Sequence, residues 1–451
     1  MSLARNDASG GVDRHPRDAS EEELFAADFK AAPYWWDRTP RPDLGTPSLP
    51  SVAEVLVVGS GYSGLCAALQ TARGGRETVV LDAGDAGFGC STRNGGQISA
   101  SIKPGYAELV RRYGSERALA IRKLGQDALT WIESFIAVEG IHCDFRRSGR
   151  FYGAHSPARF KDLQRKLADQ APGLDDGAYL LSRAEQGREI GGDFYHGGIV
   201  SPRHASLDPA RYHQGLLDRA LAAGVTVIPH CRVTGLSRGG EGVTVETERG
   251  KVQARDVIVA TNGYSDGLSP WHRRRVIPIG SYMIATEPLP PGLAAELFPT
   301  NRVVTDTRKL VVYYRLSPDG RRVLFGGRVS LSEVDPRASA TPLHAEMTKR
   351  FPVLSGIGIS HSWMGFVAYT FDELPHLGCR DGIHYAMGYC GSGVSLASYL
   401  GSKIGQQVLG LAEGRTVLDD IAFQGRPYYW RRPWFLAPSI AYYRWRDAQD
   451  R

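Results

Sequence analysis

Three glycines and one acid carry the first chemistry that can be read from this chain. Gly59, Gly61 and Gly64 stand as Gly-x-Gly-x-x-Gly, and Asp82 follows eighteen residues after the last of them. In that pattern the first glycine allows a tight turn, the second leaves bare backbone for a pyrophosphate, and the third lets a helix pack close to its strand. The N–H groups and dipole at the helix start then face the phosphates. A carboxylate at the end of the second strand accepts a ribose hydroxyl, which argues against a nicotinamide cofactor carrying a 2′-phosphate. The chemistry expected is a grip on a dinucleotide.

The elements that must position these residues surround them. Glu54 to Asp82 runs as an apolar strand, the glycine turn, a helical pattern and a second strand. Upstream, 1–33 reads as a flexible leader with a short acidic helix signal over Glu21–Lys30. The stretch 34–50 reads as an arm and linker, Tyr34-Trp35-Trp36 followed by Pro40, Pro42, Pro47 and Pro50, laid on the surface of the main domain. Past Asp82 come a glycine-rich loop from Gly84 to Gly96, helical patterns from about Tyr106 to Ala171, an amphipathic helix at Pro209–Gly224 and a short strand at Val225–Pro229. Alternation in Val243–Thr247 and Lys251–Ala254, about a turn at Arg249-Gly250, predicts a hairpin leading into the strand Val257–Ala260. Val276–Ser330 is again strand-rich, with a turn at Asp319-Gly320. Gly382–Gly388 is a strand running into Tyr389-Cys390-Gly391-Ser392-Gly393-Val394, a second glycine-rich helix start, whose helix continues to about Leu409.

At 451 residues and 42% apolar content the chain is long enough for two domains with separate cores. The first 20 residues contain no apolar signal-type stretch and no later run is long enough to span a bilayer, so a soluble, cytoplasmic protein is expected. Six cysteines (Cys66, Cys90, Cys143, Cys231, Cys379, Cys390) show no CxxC spacing and no companion histidines. No metal site is expected, and the thiols read as buried groups in a reducing compartment. The net charge of +6 is modest, and its densest run, His272–Arg275, reads as solvated surface. No aromatic-interleaved basic module points to RNA or DNA.

Three features favour FAD as the dinucleotide. The strand ending in Ala260-Thr261-Asn262-Gly263 returns to the same sheet, the loop Cys90–Gln97 follows soon after the acid, and the GYCGSGV helix start lies at the opposite end of the chain. Together they bracket a long cofactor at several points. In their order the segments GSGYSG, STRNGGQ, ATNGYSD, Trp363-x-Gly365 with Thr370-x-Asp372-x-x-Pro375, and GYCGSGV resemble the D-amino acid oxidase superfamily of FAD-dependent amine oxidoreductases. Within it the chain is most similar to the gamma-glutamylputrescine oxidoreductase branch. Tyr34-Trp35-Trp36 and the closing Pro433-Trp434-Phe435-Leu436 with Tyr442-Tyr443-Arg444 fit that branch too.

The resemblance implies an α/β fold with a discontinuous, Rossmann-like FAD-binding domain (51–135, 196–270 and 364–451) and a mainly antiparallel substrate domain (136–195 and 271–363) that roofs the isoalloxazine. By the same resemblance Gly59, Gly61, Gly64 and Asp82, with Tyr62, Ser63 and Ala83 beside them, hold the ADP half. Ser91, Thr92, Arg93, Asn94, Gly95, Gly96 and Gln97 line the middle of the cofactor and the flavin edge. Val233 meets the adenine through its backbone, and Thr261, Asn262 and Gly263 close the neighbouring strand end. Gly391, Gly393 and Val394 start the helix facing the flavin pyrimidine carbonyl, where a positive helix end favours negative charge. Relatives with covalent flavin carry a cysteine where this chain has Gly365, Phe366 and Val367. Non-covalent FAD is therefore expected, with Cys379 and Cys390 as structural thiols. The strand Val323–Arg328 lacks the lysine that helps monomeric sarcosine oxidases activate oxygen, so the acceptor is open between O2 and another carrier.

The reaction implied is removal of a hydride from a carbon beside an amine nitrogen to flavin N5, giving an imine that hydrolyses to an aldehyde or keto acid plus amine. Desolvation lowers the amine pKa, so no dedicated base is needed. Arg328 and Arg315 are candidates to pair with a substrate carboxylate, the alternative for each being a structural salt bridge. Tyr282 and Trp363 are candidate pocket walls or plain core, and His376 is expected to make a structural hydrogen bond near the cofactor. The substrate implied is a gamma-glutamylputrescine-like amine or another amine with an anionic tail. Rivals are an N-methylated amino acid, a D-amino acid or an aminophosphonate, and, from another class, a flavoprotein whose FAD is structural and whose function is binding. A monomer or homodimer without nucleic-acid or membrane partners is expected.

Overall fold

The computed structural model describes residues 24–240, 242–265, 267–328, 334–429 and 434–449. The leader up to residue 23, Asp266, Val329, Ser330 and Pro433 of the segments above lie outside these.

The apolar runs build two large sheets. In the first, Gly250–Val259, Val52–Val58, Thr78–Leu81 and Thr226–Ile228 pair in parallel, in that spatial order. Their inner residues are buried continuously because both faces are covered. The helices Tyr62–Arg73, Ser115–Val138, Pro209–Ala222 and Gly393–Val408 pack on one face, and Leu268, Val276, Ala368 and Phe423 on the other. The expected hairpin is present as Gly242–Thr247 and Gly250–Val259, with the runs read as Lys251–Ala254 and Val257–Ala260 fused into one long strand. Ile383–Met387 pairs in parallel with the far end of that strand, on the same side as the hairpin, and His376–Arg380 lies outside it; Val233–Gly239, outside Gly242–Thr247, completes eight strands, with Thr226–Ile228 at the opposite edge.

The second sheet has nine strands, in the order Phe25–Lys30, Ile359–Tyr369, Ile277–Thr286, Val323–Gly327, Val312–Leu316, Val303–Asp306, Arg150–Gly153, Gly198–Ser201, Tyr179–Leu181. Six of its eight pairings are antiparallel. One face packs on the helix Pro336–Arg350 through Tyr282, Tyr314 and Phe325. The other meets Tyr34 and Trp35 through Met283, Leu324 and Trp363.

Several sequence expectations change here. The acidic helix signal is not met in its described part: Phe25–Lys30 is an edge strand parallel to Ile359–Tyr369. The open edge offers backbone partners, Ile359 N–H donating to the Leu24 carbonyl at 2.9 Å, and the Arg337 guanidinium lies 4.1 Å from the Phe25 ring. Tyr34–Arg38 is a helical turn inserted into the core, not a surface arm, since Tyr34 and Trp35 are 5% and 0% exposed. Arg150–Gly153 interrupts the long helical stretch as a strand. Gly198–Ser201, within the expected cofactor segment 196–270, pairs in the nine-stranded sheet, and Ile359–Tyr369 of that sheet runs across the expected 363/364 boundary. Strand pairing of this kind is not reported by short-range sequence signals.

Candidate active site

The glycine grip forms where the first parallel strand ends. Gly59 takes φ +102°, and a Cβ there would press on the Ala260 carbonyl oxygen at 3.2 Å. A Cβ on Gly64 would collide with the Gly59 carbonyl. The helix Tyr62–Arg73 starts at Gly61 with no side-chain cap, and the Tyr62 N–H donates to Ser91 Oγ at 3.0 Å. Asp82 Oδ2 accepts from the Ser60 N–H (2.8 Å) and hydroxyl (2.5 Å), and Oδ1 accepts from the Gly84 N–H at 3.1 Å. A carboxylate has about four acceptor positions, so one remains for a ribose hydroxyl. Cys231 N–H donates to the Asp82 carbonyl at 2.7 Å, which brings Val233 near the acid, while Ala83 stays exposed beside it. Tyr62 and Ser63 turn their side chains inward, Tyr62 Oη donating to the Pro209 carbonyl and Ser63 Oγ lying 2.5 Å from Tyr389 Oη. Those two residues therefore offer a ligand only backbone.

The second helix start stands beside the first. Gly391 is exposed at φ +94°, and Gly393–Val408 begins after Ser392 without a side-chain cap. Gly401 and Gly405 let this helix lie against Ser63 and Ala67 of the first. Asn262, at φ +45°, accepts the Gly388 N–H on Oδ1 at 2.9 Å, so the ATNG strand end is tied to the same place. Thr261 Oγ1 lies 2.6 Å from Ser265 Oγ, and Gly263 faces Phe366. Two uncapped helix N-termini, one at each glycine motif, suit a ligand with a pyrophosphate at one place and an electron-rich carbonyl at another. FAD fits that description.

Three indoles hold the loop between them. Trp36 Nε1 donates to Thr92 Oγ1 (3.0 Å), Trp35 Nε1 to the Asn94 carbonyl (2.9 Å) and Trp363 Nε1 to the Arg93 carbonyl (2.8 Å). The Arg93 guanidinium sits 4.6 Å from the Trp36 ring and 4.3 Å from that of Phe88, and its Nε donates to the Phe88 carbonyl. Asn94 is spent on the loop itself: its amide donates to the Cys90 and Ser91 carbonyls and its oxygen accepts the Gly96 N–H. A Cβ on Gly95 would meet the Tyr313 ring at 3.1 Å, and Gln97 points its amide at the Val304 and Tyr314 carbonyls.

On the substrate side the four sequence candidates part company. Arg315 is buried and donates from Nη1 to the Gly96 (3.1 Å) and Leu207 (2.8 Å) carbonyls and from Nε to Leu316, a structural bracket on the loop. Burial pushes its pKa down to about 10. Tyr282 is not brought to the site: it lies on the helix-covered face of its sheet and its hydroxyl accepts the Val334 N–H. Trp363 lies on the loop-facing side, fully buried, with its indole bonded to the Arg93 carbonyl. Arg328 lies against half-buried tyrosines and hydrogen-bonds Tyr369. Its Cζ is 5.8 Å from the Tyr369 ring, its charge also acts on Tyr313, and no described carboxylate pairs with it. His376 makes its expected structural bond, Nε2 lying 3.0 Å from both oxygens of Asp372, and stacks on Phe423 at 4.3 Å.

Sequence reasoning missed Tyr313, Tyr369 and Lys103. Tyr369 Oη is 3.7 Å from where a Gly391 Cβ would stand, and Lys103 Nζ is 5.7 Å from the Tyr369 ring. The signal for Tyr369 was its place immediately before Thr370-x-Asp372; nothing local marks Lys103. All six cysteines are free; burial pushes the Cys90 and Cys390 thiols up to about 11, which keeps them protonated, while Cys379 is exposed. His272 of the basic run is buried and Arg275 stacks 4.0 Å from the Trp271 ring, so half of that run is structural and not solvated. Two cavities, of about 260 Å³ beside Arg315 and Asp144 and about 540 Å³ beside Trp271 and Arg426, include no glycine-motif residue in their walls. Among the described residues no side-chain cluster could hold a metal, and no helix is long and apolar enough to cross a membrane.

A two-sheet protein with a double glycine-helix grip is a flavoprotein of the Rossmann-like kind, and comparison with known proteins agrees. Residues 54–407 match the family of FAD-dependent oxidoreductases, and the chain belongs to it. It is 32% identical over 403 residues to gamma-glutamylputrescine oxidoreductase of Escherichia coli, covering 87% of this chain and 92% of that one. It is 31% identical over 406 residues to the probable oxidoreductase OrdL of Haemophilus influenzae, covering 88% and 92%. Glycine oxidase from Geobacillus kaustophilus shares the fold at a TM-score of 0.68 and 18% identity, over 84% of this chain and 100% of its own. The chain is an FAD-dependent amine oxidoreductase.

Proposed function

We propose that the chain oxidises the C–N bond of an amine carrying an anionic tail, in the manner the name gamma-glutamylputrescine oxidoreductase gives for its relative. The observation that carries this reading is Arg328, a guanidinium beside Tyr369 with no described carboxylate partner; Tyr369 adjoins the helix start at Gly391, and Tyr313, on which the Arg328 charge also acts, adjoins Gly95 of the loop. Held there, a planar two-pronged donor fixes a carboxylate and so fixes the distance to the reacting carbon. FAD, held non-covalently, would supply the hydride acceptor. The chain's part is to grip the ADP half with Gly59, Gly61, Gly64 and Asp82, to hold the loop Ser91–Gln97 through the three indoles, and to set the helix start at Gly391–Val394 against the flavin. Tyr313 and Tyr369 present ring faces that exclude water, and a desolvated amine gives up its proton and offers its lone pair. The nitrogen lone pair forms C=N as the hydride leaves, and water then splits the imine to a carbonyl compound and the released amine. Electrons leave to oxygen or to another carrier. We assign the cofactor role to 51–135, 196–270 and 364–451 and the substrate role to 136–195 and 271–363, adjusted to the strand pairings above.

The test is anaerobic reduction with an amine deuterated at the reacting carbon. Slower bleaching of the flavin with the deuterated compound, and a carbonyl product in equal amount to the bleached flavin, is the result expected. Reduction without an isotope effect or carbonyl product overturns the reading.

A further inference from the structure

Around Tyr369 and Tyr152 lies more positive charge than one carboxylate can answer. Lys103 Nζ (5.7 Å) and Arg328 Cζ (5.8 Å) flank the Tyr369 ring. Lys166 Nζ (5.3 Å) and Arg150 Cζ (5.5 Å) flank the ring of Tyr152. Lys103 joins the two groups, since its charge acts on both Tyr369 and Tyr152, and Arg122 stands close enough to act on Lys166. None of these five cations forms an ion pair with a described carboxylate. Two acids come near: Asp176 acts on Arg122 and Arg150 at longer range, and Asp306 is committed to Arg350 at 2.7 Å. Arg159, which also faces Tyr152, is paired with Asp162 at 2.8 Å.

The cluster belongs to the reacting end of the molecule. Tyr369 touches the helix start at Gly391, and Tyr313, which feels Arg328, touches Gly95 of the loop. Lys103 and Lys166 keep solvent access although cations crowd them. An arrangement of like charges without counter-charge costs free energy in the free protein, and a ligand that supplies the missing charge recovers it.

We propose that the non-reacting part of the substrate carries at least two negative charges, received by Arg328 and Lys103 at Tyr369 and by Lys166 and Arg150 at Tyr152. This rests on the amine-oxidation reading and narrows it. Gamma-glutamylputrescine, with a single carboxylate beside an ammonium, then fits the site less well than an amine with two carboxylates or with a phosphonate dianion.

The experiment uses the flavin-loaded enzyme and unreactive probes whose binding perturbs the visible flavin spectrum: butyrate, glutarate and propylphosphonate. Glutarate or propylphosphonate binding at least about tenfold more tightly than butyrate is expected, the size of one added charge pair. Whichever of the two is tighter tells whether the charges come from two carboxylates or from one phosphonate. In Lys166→Met and Lys103→Met the advantage over butyrate shrinks toward one. Equal affinity for all three probes, or an advantage untouched in both variants, overturns the inference. Amine turnover is read separately: bleaching by amines regardless of tail charge keeps the amine reading and overturns this one. A dianion preference with no bleaching by any amine supports the anion site and overturns the amine reading.

Discussion

Trp35→Phe isolates the part of the protein that precedes the glycine grip in sequence yet holds the cofactor loop in space. The indole N–H of Trp35 donates to the Asn94 carbonyl at 2.9 Å, and the ring is wholly buried. Phenylalanine keeps most of the apolar area but leaves that carbonyl without its donor. An unsatisfied buried acceptor costs about 1–3 kcal/mol. If the loop Ser91–Gln97 relaxes to escape that cost, FAD binding must restore it, and the dissociation constant rises by about 5- to 150-fold. The assay is fluorescence titration of the apoprotein with FAD, run beside thermal unfolding. Trp363→Phe removes the adjacent bond to Arg93, so the pair in one chain should lose less than the two single losses summed, because both hold the same short stretch of loop. An unchanged FAD affinity with a lowered Tm would refute the reasoning and leave Trp35 as ordinary core.

Other substitutions separate roles that the sequence left joined. Arg315→Met should lower Tm and flavin content, since three backbone carbonyls lose their donor, while Arg328→Met should leave Tm nearly unchanged and weaken anionic ligands by about tenfold or more. Gly64→Ala, whose Cβ would collide with the Gly59 carbonyl, is expected to yield protein without bound flavin, checked by flavin absorbance per chain. Burial raises the Glu346 pKa, but the hydrogen bond from Lys349 and the charges of Arg308 and Arg350 outweigh it and bring it down to about 2. A depressed folded pKa stabilises above the ordinary carboxylate range and is lost as pH falls toward about 2. Acid unfolding should therefore be steeper in the native protein than in Glu346→Gln, by up to about 3 kcal/mol across that window. Lys166 is lowered to about 8 by desolvation and by Arg150, Arg122 and Lys103. Its solvent access tempers the first cause, so the cationic neighbours carry the direction. Glutarate affinity should then fall as pH rises through about 8, where the ammonium is lost, and this fall should be absent in Lys166→Met.

The cofactor grip was legible because its backbone demands particular residues at particular spacing. A φ of +102° at Gly59 and a helix crossing at Gly64 tolerate no side chain, so the chemistry is written in the glycines themselves. Substrate positions were less legible for a geometric reason. Alternation shows that Tyr282 and Met283 point to opposite faces, but not which face meets the flavin; Tyr282 went to the helix side and Met283 to the loop side. In sequence Arg315 and Arg328 are both candidates for a substrate carboxylate, and only the fold sets one against backbone carbonyls and the other against a tyrosine ring. Lys103, Tyr152, Lys166 and Tyr369 come from four separate segments, so no local pattern could have joined them. Phe25–Lys30 was misread because helix-favouring glutamates precede it, whereas a free sheet edge settled its conformation.

The most direct test of the central claim is the visible spectrum of the purified protein under anaerobic conditions, before and after addition of an amine with an anionic tail, followed by air. Bound flavin that bleaches with the amine is the result expected, and the speed of recovery in air separates oxygen from another acceptor. Flavin that no amine bleaches, or protein that binds no flavin, would contradict the account.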